Sequence, residues 1–148
     1  MSPVSPERRY YYDACALDYD KSILGEIIKN NKFNIKSVVS HLALGEAYAN
    51  CKLKSEEIED SFTDLIRSMG SYLTIVHNDG VEGEILKVKE IFPALSITDS
   101  MHLAAALKHK CSVLRTRDRD FFGQDSEKLK EIGNHFGITN FCVSKIEI

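Results

Sequence analysis

The feature that most constrains the fold is the alternation of strand-like and helix-like segments along the whole chain. Short runs of aromatic and branched apolar residues alternate with longer segments in which apolar residues recur at helical spacing. This alternation predicts a parallel sheet with helices on both faces, because parallel strands need crossover connections. The strand-like segments are residues 9–13, 33–39, 72–76, 111–115 and 138–143.

Length and composition favour one domain with one hydrophobic core. The chain has 148 residues, of which 43% are hydrophobic, and this suits a single domain. We expect that domain over residues 9–148, after a flexible tail over residues 1–8. Neither a transmembrane stretch nor a signal-peptide pattern is present, so we expect a cytoplasmic protein without membrane attachment.

Charge and cysteine content argue against several classes of protein. The net charge is −3, so the basic signature typical of nucleic-acid-binding proteins is missing from the chain as a whole. The four cysteines are widely spaced and form no CxxC pair. We therefore expect neither a disulfide framework nor a zinc site. The glycine-rich nucleotide-binding loops GxGxxG and GxxxxGK[ST] are also absent from the sequence.

Residues 95–122 combine a helix, a strand and an acidic turn. Thr98 is the expected N-cap of the helix, with Asp99 in its first turn. The strand ends before Thr116 and Asp118. Ligands bind at strand ends in open α/β sheets, which makes both acids candidates for a site. Whether the start of this helix and the end of this strand meet is left open by the sequence.

Two further acids stand in places where packing alone does not explain them. Asp13 ends an otherwise apolar strand. Glu46 lies on or beside the apolar stripe predicted for the helix over residues 41–50, which Ser40 caps; that stripe comprises Leu42, Gly45 and Ala49. We expect Glu46 to point into a cleft, and the alternative is a glutamate that reaches solvent. Convergence of several carboxylates needs a cation among them, and Mg²⁺ prefers such oxygen ligands.

These four acids lie in four motifs: YYDACAL around Asp13, SHLALGEAYA around Glu46, ITDSMHLAAALKHK around Asp99 and VLRTRDRDFF around Asp118. The motifs resemble those of PIN-domain nucleases, and most closely those of VapC-type toxin ribonucleases of prokaryotic toxin–antitoxin systems. The resemblance implies a three-layer α/β/α sandwich with a central parallel sheet of about five strands, commonly dimeric.

The resemblance also implies a chemistry and a set of partners. Asp13, Glu46, Asp99 and Asp118 would be the catalytic and metal-binding residues for Mg²⁺ or Mn²⁺, with Thr116 as a supporting hydroxyl. The activity would be hydrolysis of RNA phosphodiester bonds by an endoribonuclease that acts as a toxin and is inhibited by an antitoxin protein.

Several residues depart from the family pattern or leave alternatives open. Cys15 stands where the family commonly has a hydroxyl or an amide, which weakens the expected support of Asp13. Asp120 is a second candidate acid, although the spacing Thr-x-Asp favours Asp118. For His102 we expect a packed or solvent-facing side chain rather than a site residue. Possible phosphate contacts are Arg115 and Arg117.

Two alternative functions remain beside the toxin hypothesis. A housekeeping PIN nuclease would process RNA without an antitoxin, and a neighbouring gene for a small DNA-binding protein would argue against it. A receiver-like α/β module would bind partners without catalysis, since doubly wound sheets place acids at strand ends for several purposes. Glu46 favours a nuclease, because the acidic pocket of a receiver does not need a glutamate at that place.

Overall fold

The computed structural model describes residues 8–17 and 22–146. The predicted flexible tail over residues 1–8 lies outside these ranges, except for Arg8, which begins the first strand. The strands are β1 (Arg8–Tyr12), β2 (Ile35–Ser40), β3 (Leu73–Val76), β4 (Val113–Thr116) and β5 (Cys142–Lys145). They form one five-stranded sheet in the order β3-β2-β1-β4-β5, and every neighbouring pair is parallel. The predicted parallel sheet is confirmed.

The strand order places a topological switch point beside the central strand. The chain builds outward from β1 through β2 to β3, and then crosses to the other side of β1 to add β4 and β5. Connections therefore leave the carboxyl ends of β1 and β4 in opposite directions, which opens a crevice there. Open α/β sheets bind their ligands in such crevices, so the residues that follow β1 and β4 are the first to consider for a site.

Helices cover both faces of the sheet. They are α1 (Ser22–Lys32), α2 (His41–Lys54), α3 (Glu56–Met69), α4 (Glu82–Ile91), α5 (Ile97–Lys108), α6 (Arg119–Phe122) and α7 (Ser126–His135). Short 3₁₀ helices follow β1 at Ala14–Leu17 and precede β3 at Gly70–Tyr72. No helix in the described ranges is long and apolar enough to span a membrane.

Adjacent tyrosines of β1 belong to two separate hydrophobic cores, because neighbouring side chains of a strand point to opposite faces. Tyr11 packs in the core between the sheet and helices α4, α5 and α7, whose buried residues include Val88, Leu103 and Ile132. Tyr12 packs in the core between the sheet and helices α1, α2 and α3, whose buried residues include Ile23, Ala43 and Phe62. This arrangement confirms the three-layer α/β/α sandwich.

Two details of the predicted helices are wrong. Ser96, not Thr98, caps α5: its backbone is extended and its hydroxyl oxygen accepts the Asp99 N–H at 3.1 Å. The buried stripe of α2 comprises Ala43, Ala47 and Cys51, not Leu42, Gly45 and Ala49. The face of α2 that is buried in this core carries small side chains, which apolar spacing alone did not predict.

The last strand begins later than the predicted segment 138–143, because residues 139 and 140 form a turn. Asn140 has a φ of 57°, a left-handed conformation that interrupts an extended strand. Ile138 and Phe141 are buried in the core under α7. A side chain at Gly133 would meet Phe141 at 2.4 Å, so this glycine lets the aromatic ring pack against the helix. These residues are apolar because they fill the core rather than because they form a strand.

Candidate active site

The structure places the candidate acids around the carboxyl edge of the sheet. Asp13 directly follows β1, and Asp118 lies two residues after the end of β4. Ser40 is both the last residue of β2 and the N-cap of α2, so Glu46 stands in the second turn above that edge. Asp99 lies in the first turn of α5. Strand ends and helix starts thus bring these residues to the switch point.

Asp13 is a buried carboxylate held by three donors. Thr116 Oγ1 donates to Asp13 Oδ2 at 2.6 Å. Asp13 Oδ1 accepts the backbone N–H of Ala16 at 3.2 Å and the thiol of Cys15 at 3.1 Å. Burial raises the pKa of Asp13 to about 6, the negative charge of Asp99 adds to the increase, and the three hydrogen bonds oppose it. The carboxylate is therefore fixed in orientation but costly to keep ionised.

Thr116 connects Asp13 with the loop that carries Asp118. Its hydroxyl oxygen accepts the backbone N–H of Asp118 at 3.0 Å while it donates to Asp13. The predicted supporting hydroxyl thus lies between the two acids that follow neighbouring strands. The side chain of the alternative acid, Asp120, lies outside the described part of the structure.

Asp99 and Glu46 are electrostatically linked to Asp13. Burial raises the pKa of Glu46, and the negative charges of Asp13 and Asp99 raise it further. Like charges affect each other in this way only when they are close in space. The start of α5 therefore faces the same edge as the carboxyl end of β1, which answers the geometric question that the sequence left open.

Cys15 occupies the place of the hydroxyl or amide that the motif commonly has, and it makes comparable contacts. Its sulfur lies 3.3 Å from Thr116 Oγ1 and accepts the backbone N–H of Arg117 at 3.3 Å, in addition to its contact with Asp13. Burial, and then the charge of Asp13, raise the pKa of the thiol to about 11. A neutral thiol therefore joins the 3₁₀ helix after β1 to the loop after β4.

His102 is packed, which is one of the two placements expected for it, and it also lies beside Glu46. The side chain is 2% exposed. Its Nδ1 atom lies 2.7 Å from the Tyr11 hydroxyl, and its Nε2 atom lies 3.2 Å from Glu46 Oε1. That oxygen is buried and has no described hydrogen bond of good geometry. Burial lowers the pKa of His102 to about 4, so the ring is neutral at pH 7.

Sequence reasoning missed Tyr11 and the second contact of Ser40. The Tyr11 hydroxyl lies 2.8 Å from Ser40 Oγ, and both side chains are fully buried. One signal was available: Tyr11 is two residues before Asp13, and strand residues at this spacing share a face. Likewise His102 follows Asp99 by three residues, which puts both on one side of a helix.

The two candidate phosphate-binding arginines have different surroundings. The guanidinium group of Arg115 donates to both carboxylate oxygens of Glu26, and also to Ser144 Oγ and the Lys145 carbonyl, each at 2.9 Å. Arg117 lies nearer the site and lines a cavity of about 240 Å³ with Cys15, Asn50 and Lys54. We therefore retain only Arg117 as a candidate phosphate contact.

The chemistry of the carboxylate set fits a hard divalent cation. Asp13, Glu46 and Asp99 present oxygen ligands whose mutual repulsion a cation would relieve. As placed, the side chains in the described ranges form no group of three or more His, Cys, Asp or Glu residues that would coordinate one ion directly. Direct coordination by three residues is not required, because Mg²⁺ commonly binds one or two protein carboxylates and completes its shell with water.

Comparison with known proteins identifies the family. The sequence matches the PIN domain over residues 19–125, a range that includes Glu46, Asp99 and Asp118 and begins after Asp13. Because this match covers well over half of the chain, the protein belongs to the PIN-domain family, whose members are nucleases. No curated protein sequence matches the chain at a significant level.

Solved structures from three prokaryotes share this fold. VapBC2 from Rickettsia felis, bound to a DNA fragment from their promoter, aligns with a TM-score of 0.63 at 14% identity over 94% of this chain and 99% of that chain. PAE2754 from Pyrobaculum aerophilum aligns with a TM-score of 0.58 at 17% identity, over 81% of this chain and 87% of that chain. A domain of a functionally unknown protein from Methanocaldococcus jannaschii aligns with a TM-score of 0.50 at 18% identity, over 95% of this chain and 92% of that chain. At these identities the matches establish the fold only.

Proposed function

We propose that this PIN-domain protein is an endoribonuclease that uses Mg²⁺ or Mn²⁺ to hydrolyse RNA phosphodiester bonds, and that it acts as the toxin of a toxin–antitoxin pair. Its partners would be RNA, a second copy of the chain in a homodimer, and an antitoxin protein in the cytoplasm. Membership of the PIN family favours a nuclease over a receiver-like module. The fold shared with VapBC2 supports the toxin assignment.

One observation carries the proposal of a metal-dependent reaction: Asp13, Glu46 and Asp99 repel one another at the switch point of the sheet. Burial and the charges of the other two acids raise the pKa of Glu46, while the pKa of Asp13 is raised to about 6. A cation bound among these carboxylates would offset the negative charges of Asp13 and Asp99 that raise the pKa of Glu46.

Different residues of the chain have different roles in the proposed reaction. When bound at these carboxylates, a divalent ion supplies the positive charge that activates a water molecule and offsets charge on the phosphate. Asp13, Glu46, Asp99 and Asp118 would hold it, one or two of them directly and the others through its water ligands. Thr116, Cys15 and the Ala16 N–H orient Asp13 through their hydrogen bonds. The cavity lined by Arg117 and Lys54 would place cationic groups next to the RNA backbone.

The decisive experiment compares the wild type with Asp99→Asn on a panel of structured and single-stranded RNAs in Mg²⁺ or Mn²⁺. Asparagine keeps the size of the side chain and removes its charge. We expect metal-dependent cleavage by the wild type and its loss in the variant. Asp64→Asn, which removes an exposed charge from α3, is the matched control and should cleave normally. Equal cleavage by the wild type and Asp99→Asn would contradict the assigned site.

The toxin role needs a separate test in cells. Expression of the wild type should arrest growth, expression of Asp99→Asn should not, and co-expression of the product of a neighbouring gene should restore growth. An active nuclease that leaves growth unaffected at high expression would instead indicate the housekeeping role in RNA processing.

A further inference from the structure

A chain of buried polar side chains leads from the end of β2 to Glu46. Ser40 Oγ accepts the backbone N–H of Ala43 at 3.1 Å and lies 2.8 Å from the Tyr11 hydroxyl. That hydroxyl lies 2.7 Å from His102 Nδ1, and His102 Nε2 lies 3.2 Å from Glu46 Oε1. The three side chains before Glu46 are each at most 2% exposed. Polar groups buried so deeply must satisfy one another.

The hydrogen atoms of Ser40, Tyr11 and His102 can be assigned in one direction along this chain so that each hydroxyl donates to the next side chain. Ser40 donates to the Tyr11 oxygen, Tyr11 donates to His102 Nδ1, and the single N–H of the neutral imidazole is then on Nε2, facing Glu46. The reverse direction would leave the Ser40 hydroxyl hydrogen without an acceptor in this chain of side chains and would turn the lone pair of Nε2 towards Glu46 Oε1. The Tyr11 hydroxyl therefore selects the tautomer of His102, as the partner of one ring nitrogen does for the other.

We propose that His102 is a positioning residue: the N–H at Nε2, fixed by the Tyr11 hydroxyl, holds the carboxylate of Glu46 towards Asp13 and Asp99 so that a divalent cation can bind between them. This inference rests on the proposed function, in which Glu46 is a metal ligand. It adds a role for two residues, His102 and Tyr11, that do not themselves contact the metal or the RNA.

The need for such a residue follows from the surroundings of Glu46. Its side chain is 32% exposed and has open solvent on one side. The charges of Asp13 and Asp99 act on it, and their repulsion favours rotamers that carry the carboxylate away from the site. His102 Nε2 lies 3.2 Å from the buried oxygen, which makes no hydrogen bond of good geometry within the described residues. Because His102 and Asp99 lie on the same face of α5, one helix positions both carboxylates.

The test is Mn²⁺ affinity, measured by electron paramagnetic resonance of the free ion during titration of the purified full-length protein. Tyr11→Phe keeps the ring and removes the hydroxyl, and His102→Leu removes the N–H. We expect each to raise the Kd for Mn²⁺ by about tenfold or more, the usual effect of losing a residue that orients a metal ligand. His102→Gln should restore part of the affinity, because its amide N–H can donate from a similar position.

Tyr12→Phe is the matched control for this experiment. It makes the same chemical change one residue later, in a tyrosine that is equally buried but bonds to Glu26 and Asn30 on the other face of the sheet. We expect its Kd for Mn²⁺ to stay within about twofold of the wild type. Thermal unfolding of every variant is monitored by circular dichroism, and the titrations are carried out at a temperature at which all of the variants are folded.

The outcomes separate this inference from the proposed function. If the wild type binds Mn²⁺ and Glu46→Gln loses it, but folded Tyr11→Phe and His102→Leu both bind like the wild type, then the role of His102 is refuted and the metal site stands. If Tyr12→Phe weakens binding as much as Tyr11→Phe, the effect is general destabilisation and the inference is also refuted. A wild type that binds no Mn²⁺ would overturn the metal site and this role with it.

Discussion

Two neighbouring tyrosines in β1 anchor two polar networks with different properties. On the face covered by α1, the Tyr12 hydroxyl donates to Glu26 and accepts from Asn30, and Arg115 completes the network with an ion pair to Glu26. On the opposite face, Tyr11 connects Ser40 with His102 and ends at Glu46. Both tyrosines are fully buried, so burial does not distinguish the two networks.

The difference lies in how each glutamate is compensated. Desolvation alone would raise the pKa of Glu26, but hydrogen bonds from Arg115 and Tyr12 hold it below its ordinary value. The pKa of Glu46 is raised by burial and by two further acids, and its neighbour His102 is neutral. A carboxylate that is neutralised within the chain stabilises the fold, whereas one whose pKa is raised by like charges is a candidate ligand for a cation. Perturbed carboxylates of the second kind are candidates for function.

The comparison is tested most strongly by changing the two glutamates in the same way. Glu46→Gln should reduce RNA cleavage by about a hundredfold or more, about 2.7 kcal/mol in the activation barrier, because it removes a proposed metal ligand. Its unfolding free energy should not fall, since a repelling charge is lost. Glu26→Gln should show the opposite pattern, with lower stability in urea unfolding and cleavage within a few-fold of the wild type. Equal effects of both changes on cleavage would remove the distinction between the networks.

The second prediction concerns the cation of the Tyr12 network. Arg115→Met leaves Glu26 without its ion pair, and both side chains are mostly buried, at 19% and 25% exposed. We expect a loss of about 2 kcal/mol in urea unfolding, below the range for fully buried pairs because solvent reaches this one. Arg67→Met is the control, because its ion pair with Asp64 is exposed and 4.0 Å long. A loss no larger than in this control would show that Arg115 does not stabilise the fold.

The third prediction concerns the effect of Asp13 on stability without metal. Its pKa in the folded protein is about 6, above the ordinary 3.8, so ionisation of the buried group lowers stability as pH rises through this window. In EDTA, Asp13→Asn should therefore be more stable than the wild type at pH 8, by about 1–2 kcal/mol after allowance for a weakened hydrogen bond from Thr116. This advantage should be lost as pH falls towards 4, where the weakened hydrogen bond from Thr116 leaves the variant no more stable than the wild type.

Titration of His102 does not obscure this comparison. Its pKa in the folded protein is lowered to about 4, so its contribution to stability is complete above pH 6.5 and is lost as pH falls towards 4. This dependence is present in both proteins and cancels in their difference. Saturating Mg²⁺ should reverse the order at pH 8, since only the wild type gains binding energy. An Asp13→Asn variant that is less stable than the wild type in EDTA at every pH would contradict the cost assigned to this carboxylate.

The sequence predicted the layers of the fold because they follow from local periodicity. Alternating strand and helix patterns were sufficient for the parallel sheet, and Ser40 was recognised as a helix cap that the structure confirms. The N-cap of α5 was placed at Thr98 rather than Ser96, since both residue types serve as caps and the choice depends on backbone angles. The last strand was misplaced because Ile138 and Phe141 are apolar for core packing.

The candidate site was only partly accessible to sequence reasoning. Asp13, Glu46, Asp99 and Asp118 stood out by their positions, and their assignment as metal ligands stays a prediction. The contact of Tyr11 with His102 joins residues 91 positions apart, and no local pattern encodes such a pairing. For Arg115 the sequence showed the charge, but not the carboxylate of Glu26 on α1 that engages it.

The smallest effect is expected at Cys15, where the sequence departs from its family and the structure shows comparable contacts. The thiol donates to Asp13 and accepts the Arg117 N–H, and a serine hydroxyl can do both. Cys15→Ser should therefore change cleavage and unfolding free energy by less than about 1 kcal/mol, whereas Cys15→Ala, which removes donor and acceptor together, should cost about 1–2 kcal/mol.

The exposed Cys142 on β5 provides the control, and Cys142→Ser should have no measurable effect on either quantity. If Cys15→Ser and Cys15→Ala were equally damaging, the size of the sulfur atom between Asp13 and Thr116 would matter more than its hydrogen bonds. Asp13 would then be positioned by packing rather than by its polar contacts, unlike Glu46, for which a specific N–H donor is proposed. The pair of variants thus decides whether both carboxylates are oriented by the same means.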